Sequence, residues 1–219
     1  MRFLDVRRLG VVPYETALAM QRELVEARRS DRVPDVLLLL QHPPVITVGV
    51  RGDGGRAHIV ASSESLAARG IEVHETGRGG DVTYHGPGQL VAYPVLDLNP
   101  DRRDVHRYVR DLEAVMIGVC GEYGMHAARV EGLTGVWIGE RKIGAIGVRI
   151  SRWITSHGLA FNVATDLADF SLIVPCGIAD RGVTSLREET GRDVPMPEVE
   201  DALVRHFCRV FGRTPLTDG

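Results

Sequence analysis

The chain has 219 residues, 44% of them hydrophobic and 25% charged, with a formal net charge of -3 at neutral pH. That length can bury one substantial core, and the balance excludes both a disordered polyelectrolyte and a chain whose overall charge seeks nucleic acid. Met1 to Asp5 lacks the apolar stretch of a signal peptide, the densest aliphatic run (Val36–Leu40) is far too short to span a bilayer, and three cysteines without regular spacing argue against a disulfide framework. A cytoplasmic, single-domain protein over residues 1–219, working as a monomer and away from membranes, is therefore expected.

In chain order, the first helical stripe runs from about Tyr14 to Arg29, with Ala17, Leu18, Leu24 and Val25 as its apolar positions and Pro13 before it. Val36–Leu40 and Val45–Val50 read as strands separated by His42-Pro43-Pro44. Thr76 to Gln89 reads as a glycine-rich loop, and Gln89–Leu98 as a strand broken by Pro94. A second helix spans about Asp104 to Tyr123, with Val105, Tyr108, Leu112, Val115, Met116 and Val119 on one stripe. Gly135–Ile138, Lys142–Ile150 and Ile154–Val163 form a meander, and a third helix runs from about Pro197 to Phe211 and closes on Gly212. Dispersed helices and hairpin-like connections define an α+β fold, a mixed β-sheet with flanking helices, rather than strict βαβ alternation.

The 26 basic residues are 25 arginines and one lysine, Lys142. Arginine keeps its proton at any ordinary pH, whereas a lysine can give its proton up when its surroundings lower its pKa. If Lys142 to Val148 is a regular strand, Lys142, Gly144, Ile146 and Val148 share one face. Gly144 and Gly147 would then leave a bare ribbon over which a substrate chain could lie. Cys176 is bracketed by Pro175 and Gly177 in a turn, where reactive groups collect, while Cys120 and Cys208 fall inside helices and read as packing.

A thiol of ordinary pKa near ~8.5 is only slightly ionised at neutral pH. An ammonium 4 Å away stabilises its thiolate by about 4 kcal/mol at an effective dielectric near 20, before desolvation is subtracted. The same amine, once neutral, can accept a proton from an incoming nucleophile, which a guanidinium cannot. His157 reads either as a third member or orienting partner of such a site, or as a core histidine satisfied by the backbone. Neither a His-x-x-x-His pair nor paired cysteines point to a metal.

The run Arg78-Gly79-Gly80-Asp81-Val82-Thr83-Tyr84-His85-Gly86-Pro87-Gly88-Gln89-Leu90-Val91-Ala92-Tyr93 resembles the signature of the lipoyl (octanoyl) transferase family. His42-Pro43-Pro44, Lys142-Ile143-Gly144-Ala145-Ile146-Gly147 and Pro175-Cys176-Gly177-Ile178 follow in that family's order, so the resemblance covers roughly Leu4 to Phe211. It implies the biotin/lipoyl protein ligase catalytic-domain fold. It further implies Cys176 as the carrier of an acyl thioester and Lys142 as the group that lowers the thiol pKa and moves the proton. Arg78, Gly79, Gly80, Asp81, Val82, Thr83, Tyr84 and His85 would line the acyl pocket, with Ala145, Ile146, Gly147, Gly158, Leu159 and Ala160. The implied donor is octanoyl-acyl carrier protein. The implied acceptors are lipoyl domains of 2-oxoacid dehydrogenase complexes and the glycine cleavage H protein, with no metal or other cofactor. Three other readings remain: an ATP-dependent lipoate–protein ligase on the same fold, a cysteine hydrolase using Cys176 with His157, and a non-catalytic acyl-binding module.

Overall fold

The computed structural model describes residues 2–50, 56–100, 102–174 and 182–216. Among the described residues, eleven strands lie in two sheets. Along the chain come β1 (Arg2–Val11), α1 (Tyr14–Arg29), β2 (Asp35–Gln41), β3 (Val45–Val48), α2 (Ser63–Ala68), β4 (Glu72–Glu75), β5 (Val82–His85) and β6 (Gln89–Val95). Then follow α3 (Val105–Glu122), β7 (Ala128–Val130), β8 (Leu133–Ile138), β9 (Arg141–Ser151), β10 (Ile154–Asn162), a 3-10 turn (Leu167–Leu172), α4 (Leu186–Thr190), α5 (Met196–Phe211) and β11 (Arg213–Pro215). The large sheet has the order β11-β1-β2-β6-β10-β9-β8-β7, parallel at β11/β1/β2 and antiparallel beyond, and the small one is β4-β3-β5.

Each face of the large sheet is covered because its strands are apolar on both sides. Leu37, Leu39, Leu90, Ala92, Leu159 and Phe161 face α3 and α5, whose stripes bring Tyr108, Leu112, Met116, Leu203 and Phe207. Val36, Leu38, Leu40, Val91, Val95 and Ala160 face α1. A third cluster joins the small sheet, through Ile46, Val82 and Tyr84, to Leu172 and Ile173. The mixed sheet with flanking helices is thus the expected α+β architecture, and the three long helices fall within a residue or so of their expected bounds. Val105, placed on the α3 stripe by periodicity, is instead 45% exposed at the first turn. No helix among the described residues is long and apolar enough to cross a membrane.

Two further expectations are corrected. Val82–His85 is strand β5, paired with β3, so only the residues before and after it are loop. Its four residues are β-branched, aromatic or His, and that local preference outweighs the glycines on either side.

The second correction is that β6 runs straight through Pro94, which pairs with Leu37 on the β2 side. On the β10 side the register places Pro94 opposite His157. A proline has no N–H to give, so the ladder opens there. His157 turns to φ +55°, its N–H donates to Gln21 Oε1 of α1 at 2.7 Å, and the Pro94 carbonyl accepts the Thr155 hydroxyl at 2.7 Å. That explains a glutamine, 1% exposed, on the α1 stripe of Tyr14, Ala17 and Leu24.

The parallel edge is pinned by Asp35, 3% exposed, which accepts from Arg213 Nε (2.8 Å) and Arg28 Nε (2.9 Å) as well as from the Asp97 N–H (3.0 Å). Replacing Asp35 with Ala leaves two guanidiniums facing each other, one of them buried. A loss of about 3–5 kcal/mol is expected, read from the urea unfolding midpoint. A loss below ~1 kcal/mol would mean that the pair is screened by water and carries no weight.

Candidate active site

A cavity of about 450 Å³ lies over the β9/β10 hairpin and is closed by the 78–85 segment. That size is ordinary for a small-molecule site. The hairpin register sets its axis. Gly144 pairs with Phe161 and Val148 with His157, so Lys142 and Asn162 stand at one end and Gly147, Gly158 and His157 at the other. At about 3.3 Å per residue, His157 is some 15–20 Å along the sheet from Lys142. Val82, Ala145, Ile146, Leu159 and Ala160 contribute to an apolar lining, and Arg78, Gly80, Asp81, Thr83, His85 and Gly158 complete the expected set around it. Gly79 and Tyr84 are placed differently. The Gly79 N–H donates to the Val148 carbonyl (2.8 Å), and Tyr84 points into the small-sheet core with its hydroxyl on Asp169 (2.6 Å).

Lys142 reaches this cavity because β9 is bulged. Val136 pairs with Gly144 but Trp137 pairs with Lys142, so β9 carries one extra residue there, Ile143. Ile143, Ile146 and Val148 pack with the α3/α5 core, and a Cβ on Gly144 would sit 2.4 Å from Met116 Sδ of α3. Lys142 is thereby turned to the opposite face, beside Ala145 and Gly147. The single face expected for Lys142, Gly144, Ile146 and Val148 does not form. The bare ribbon is also accounted for by the protein itself, since a Cβ on Gly147 would meet Arg78 Cδ at 2.9 Å. The Lys142 ammonium lies 4.7 Å from the Trp137 ring centroid, a cation–π contact.

Cys176, with Pro175, Gly177 and Ile178, lies outside the described residues. The chain on either side is placed. Val174 N–H donates to the His58 carbonyl (2.7 Å), and Phe170 lines the cavity. Downstream, Lys142 N–H donates to Gly182 O (3.0 Å) and Thr184 N–H donates to Lys142 O (2.9 Å), with Val183 lining the cavity. Of the other cysteines, Cys120 is fully buried on α3 with its thiol pushed up to about 12 by desolvation, and Cys208 is half-buried on α5, also raised by burial. Both are packing residues, as expected.

Four polar residues extend the site. Gln89 donates to Asn162 Oδ1 (2.9 Å) and holds His85 Nδ1 through its Oε1 (2.6 Å), while Asn162 Nδ2 donates to Thr184 O (2.9 Å). A polar chain therefore ties His85 to the segment hydrogen-bonded along Lys142. His85 and Gln89 were legible in the glycine-rich run, but Asn162 and Thr184 carry no local signal and come together only through the fold. Arg78, 7% exposed, is clamped onto Thr47 by its Nε (3.2 Å) and Nη2 (2.6 Å to O, 2.8 Å to Oγ1). His157 is 4% exposed and its pKa is lowered to about 4, by burial first and then by Arg78, Arg149 and Arg22.

Fold and cavity together define an α+β catalytic domain of the lipoate-ligase type. Over 100% of this chain and 89% of the other, the structure superposes on the bi-partite lipoate protein ligase of Thermoplasma acidophilum with a TM-score of 0.73; at 20% identity this is a likeness of fold. The chain belongs to the lipoyl protein ligase A/B catalytic domain family, whose model matches residues 13–208. It is 53% identical over 217 residues to an octanoyltransferase of Myxococcus xanthus, covering 96% of this chain and 60% of that longer one. It is 52% identical over 219 residues to an octanoyltransferase of Chloroflexus aggregans, covering 99% and 98%.

Proposed function

We propose that the protein is a cytoplasmic octanoyltransferase of protein lipoylation, moving octanoyl from octanoyl-acyl carrier protein to a lysine of lipoyl domains through a thioester on Cys176. The acceptors would be the lipoyl domains of 2-oxoacid dehydrogenase complexes and the glycine cleavage H protein, and the enzyme would act as a monomer. The observation that carries this reading is that the chain following Cys176 is hydrogen-bonded to both sides of Lys142, at one end of an apolar cavity. The names of relatives about half identical over nearly the whole chain support octanoyl as the group.

Chemically, the Cys176 thiolate attacks the donor carbonyl and the carrier's thiol leaves, taking a proton from the Lys142 ammonium. Neutral Lys142 then accepts the proton of the acceptor amine as that amine attacks the Cys176 thioester. The amide forms, the C–S bond breaks, and Cys176 returns as thiolate beside an ammonium. Each octanoyl methylene left in the cavity contributes about 0.8 kcal/mol of transfer free energy, which holds the chain between the two half-reactions. No step needs ATP, because the donor thioester is already activated. A Cys176–His157 hydrolase is told apart by His157→Ala, in which a loss of activity as severe as in Cys176→Ala would favour it.

Incubation with octanoyl-acyl carrier protein and no acceptor should add one octanoyl mass to the protein. That mass should persist in Cys120→Ala and Cys208→Ala and vanish in Cys176→Ala. Acylation of a lipoyl domain by octanoate plus ATP, or an unmodified protein in the first experiment, would sink the reading.

A further inference from the structure

A second cavity, of about 530 Å³, lies between α1 and the far ends of β9 and β10 and shares His157 with the first. Gln21 lines it. Because Gln21 Oε1 is committed to the His157 N–H, its amide orientation is fixed, and its buried Nε2 has no acceptor. Arg29 Nε is likewise buried without an acceptor, although another nitrogen of the same guanidinium pairs with Glu26 (2.5 Å). Around these donors stand Arg22, Arg149 and Arg152, none of which has a carboxylate within ion-pair distance among the described residues. The two carboxylates of the lining are already engaged, Glu26 by Arg29 and Glu75 by Arg56 (3.0 Å). A wall of guanidiniums around a fixed, unanswered amide donor is rich in donors and poor in acceptors.

We propose that this cavity binds a phosphate group. A carboxylate offers two oxygens, too few for three unpaired guanidiniums, a glutamine amide and the Arg29 Nε, whereas a phosphate presents three or more with greater charge. The volume exceeds that of the anion alone, so a phosphoester with a small organic group fits as well as the free ion. Nothing in the acyl-transfer chemistry requires the site, and its test is independent of turnover.

The test follows the Gln21 side-chain amide in ¹⁵N-labelled protein by NMR during titration, at constant ionic strength, with inorganic phosphate, glycerol phosphate and dimethyl phosphate. Saturable movement of that amide is expected, weakened more than about tenfold in an Arg22→Gln, Arg149→Gln double variant. Both arginines are exposed, so that variant should keep the wild-type spectrum elsewhere. Tighter binding of the monoester would support an organic phosphate as ligand, and tighter binding of inorganic phosphate would support the free ion. An amide that does not move with any of the three would overturn the proposal. So would an affinity unchanged in the double variant, as expected if phosphate bound at Arg78 in the first cavity.

Discussion

Lys142→Arg is expected to lose octanoyl transfer by roughly 10²- to 10⁴-fold while keeping its positive charge. The guanidinium can still lie over Trp137, as the ammonium does at 4.7 Å, and can still favour a thiolate. It cannot become neutral and take the proton of the attacking amine. The two half-reactions should therefore separate. In a single turnover the Arg variant should acquire the octanoyl mass and hold it, whereas Lys142→Met should acquire it slowly, having lost charge and base together. Mass spectrometry of the enzyme before and after addition of a lipoyl domain reads both steps. Turnover at the wild-type rate in Lys142→Arg would reduce Lys142 to an electrostatic helper and remove it from proton transfer.

The reading of Lys142 from composition reached its location but not the way it gets there. A period of two puts it on one face with Gly144, Ile146 and Val148, and a bulge at Ile143 puts it on the other. Bulges have no dependable local signature, because they answer the register of the neighbouring strand. The helices were legible for the opposite reason: stripes such as Tyr108, Leu112, Val115, Met116 and Val119 record burial directly in their spacing. β1 was not legible. Its Arg2, Arg7 and Arg8 mask a strand that buries only Leu4 fully, and their charges are met by Asp5, Glu200, Asp201 and the carbonyls of Asp97 and Asn99. Gln21 illustrates the same limit at longer range. Its place on an apolar stripe makes sense only once Pro94, far along the chain, has opened the ladder at His157.

Three buried histidines, His42 and the cavity-lining His85 and His157, make a second large effect expected, a steep loss of stability in mild acid. His42 sits between the Val12 carbonyl (2.7 Å) and the Tyr93 hydroxyl (2.8 Å), and its ring centroid is 5.7 Å from that of His85. Burial lowers His42 to about 4, burial and then the charge of His42 lower His85 to about 3, and His157 is at about 4. All three lie below the value near 6.5 of an unfolded chain, so between those limits the unfolded state binds more protons. Their contribution is fully present above pH 6.5 and is lost as pH falls toward 4. Each group costs about 1.4 kcal/mol per pH unit once the unfolded chain is protonated, so the three together cost about 4 kcal/mol per unit. By pH 5 the loss approaches roughly 6 kcal/mol, comparable with the whole stability of a typical domain. Asp111 and Glu200, raised by burial, work in the opposite direction, but arginines hold that rise in check, Arg102 and Arg107 at Asp111 and Arg8 at Glu200. Urea midpoints measured from pH 7.5 to 5 should therefore fall steeply below pH 6.5, well above the range where paired carboxylates titrate. A flat profile across that interval, or imidazole NMR signals of these three that titrate near 6.5 in the folded protein, would show that water reaches the rings and that the cluster is not sealed.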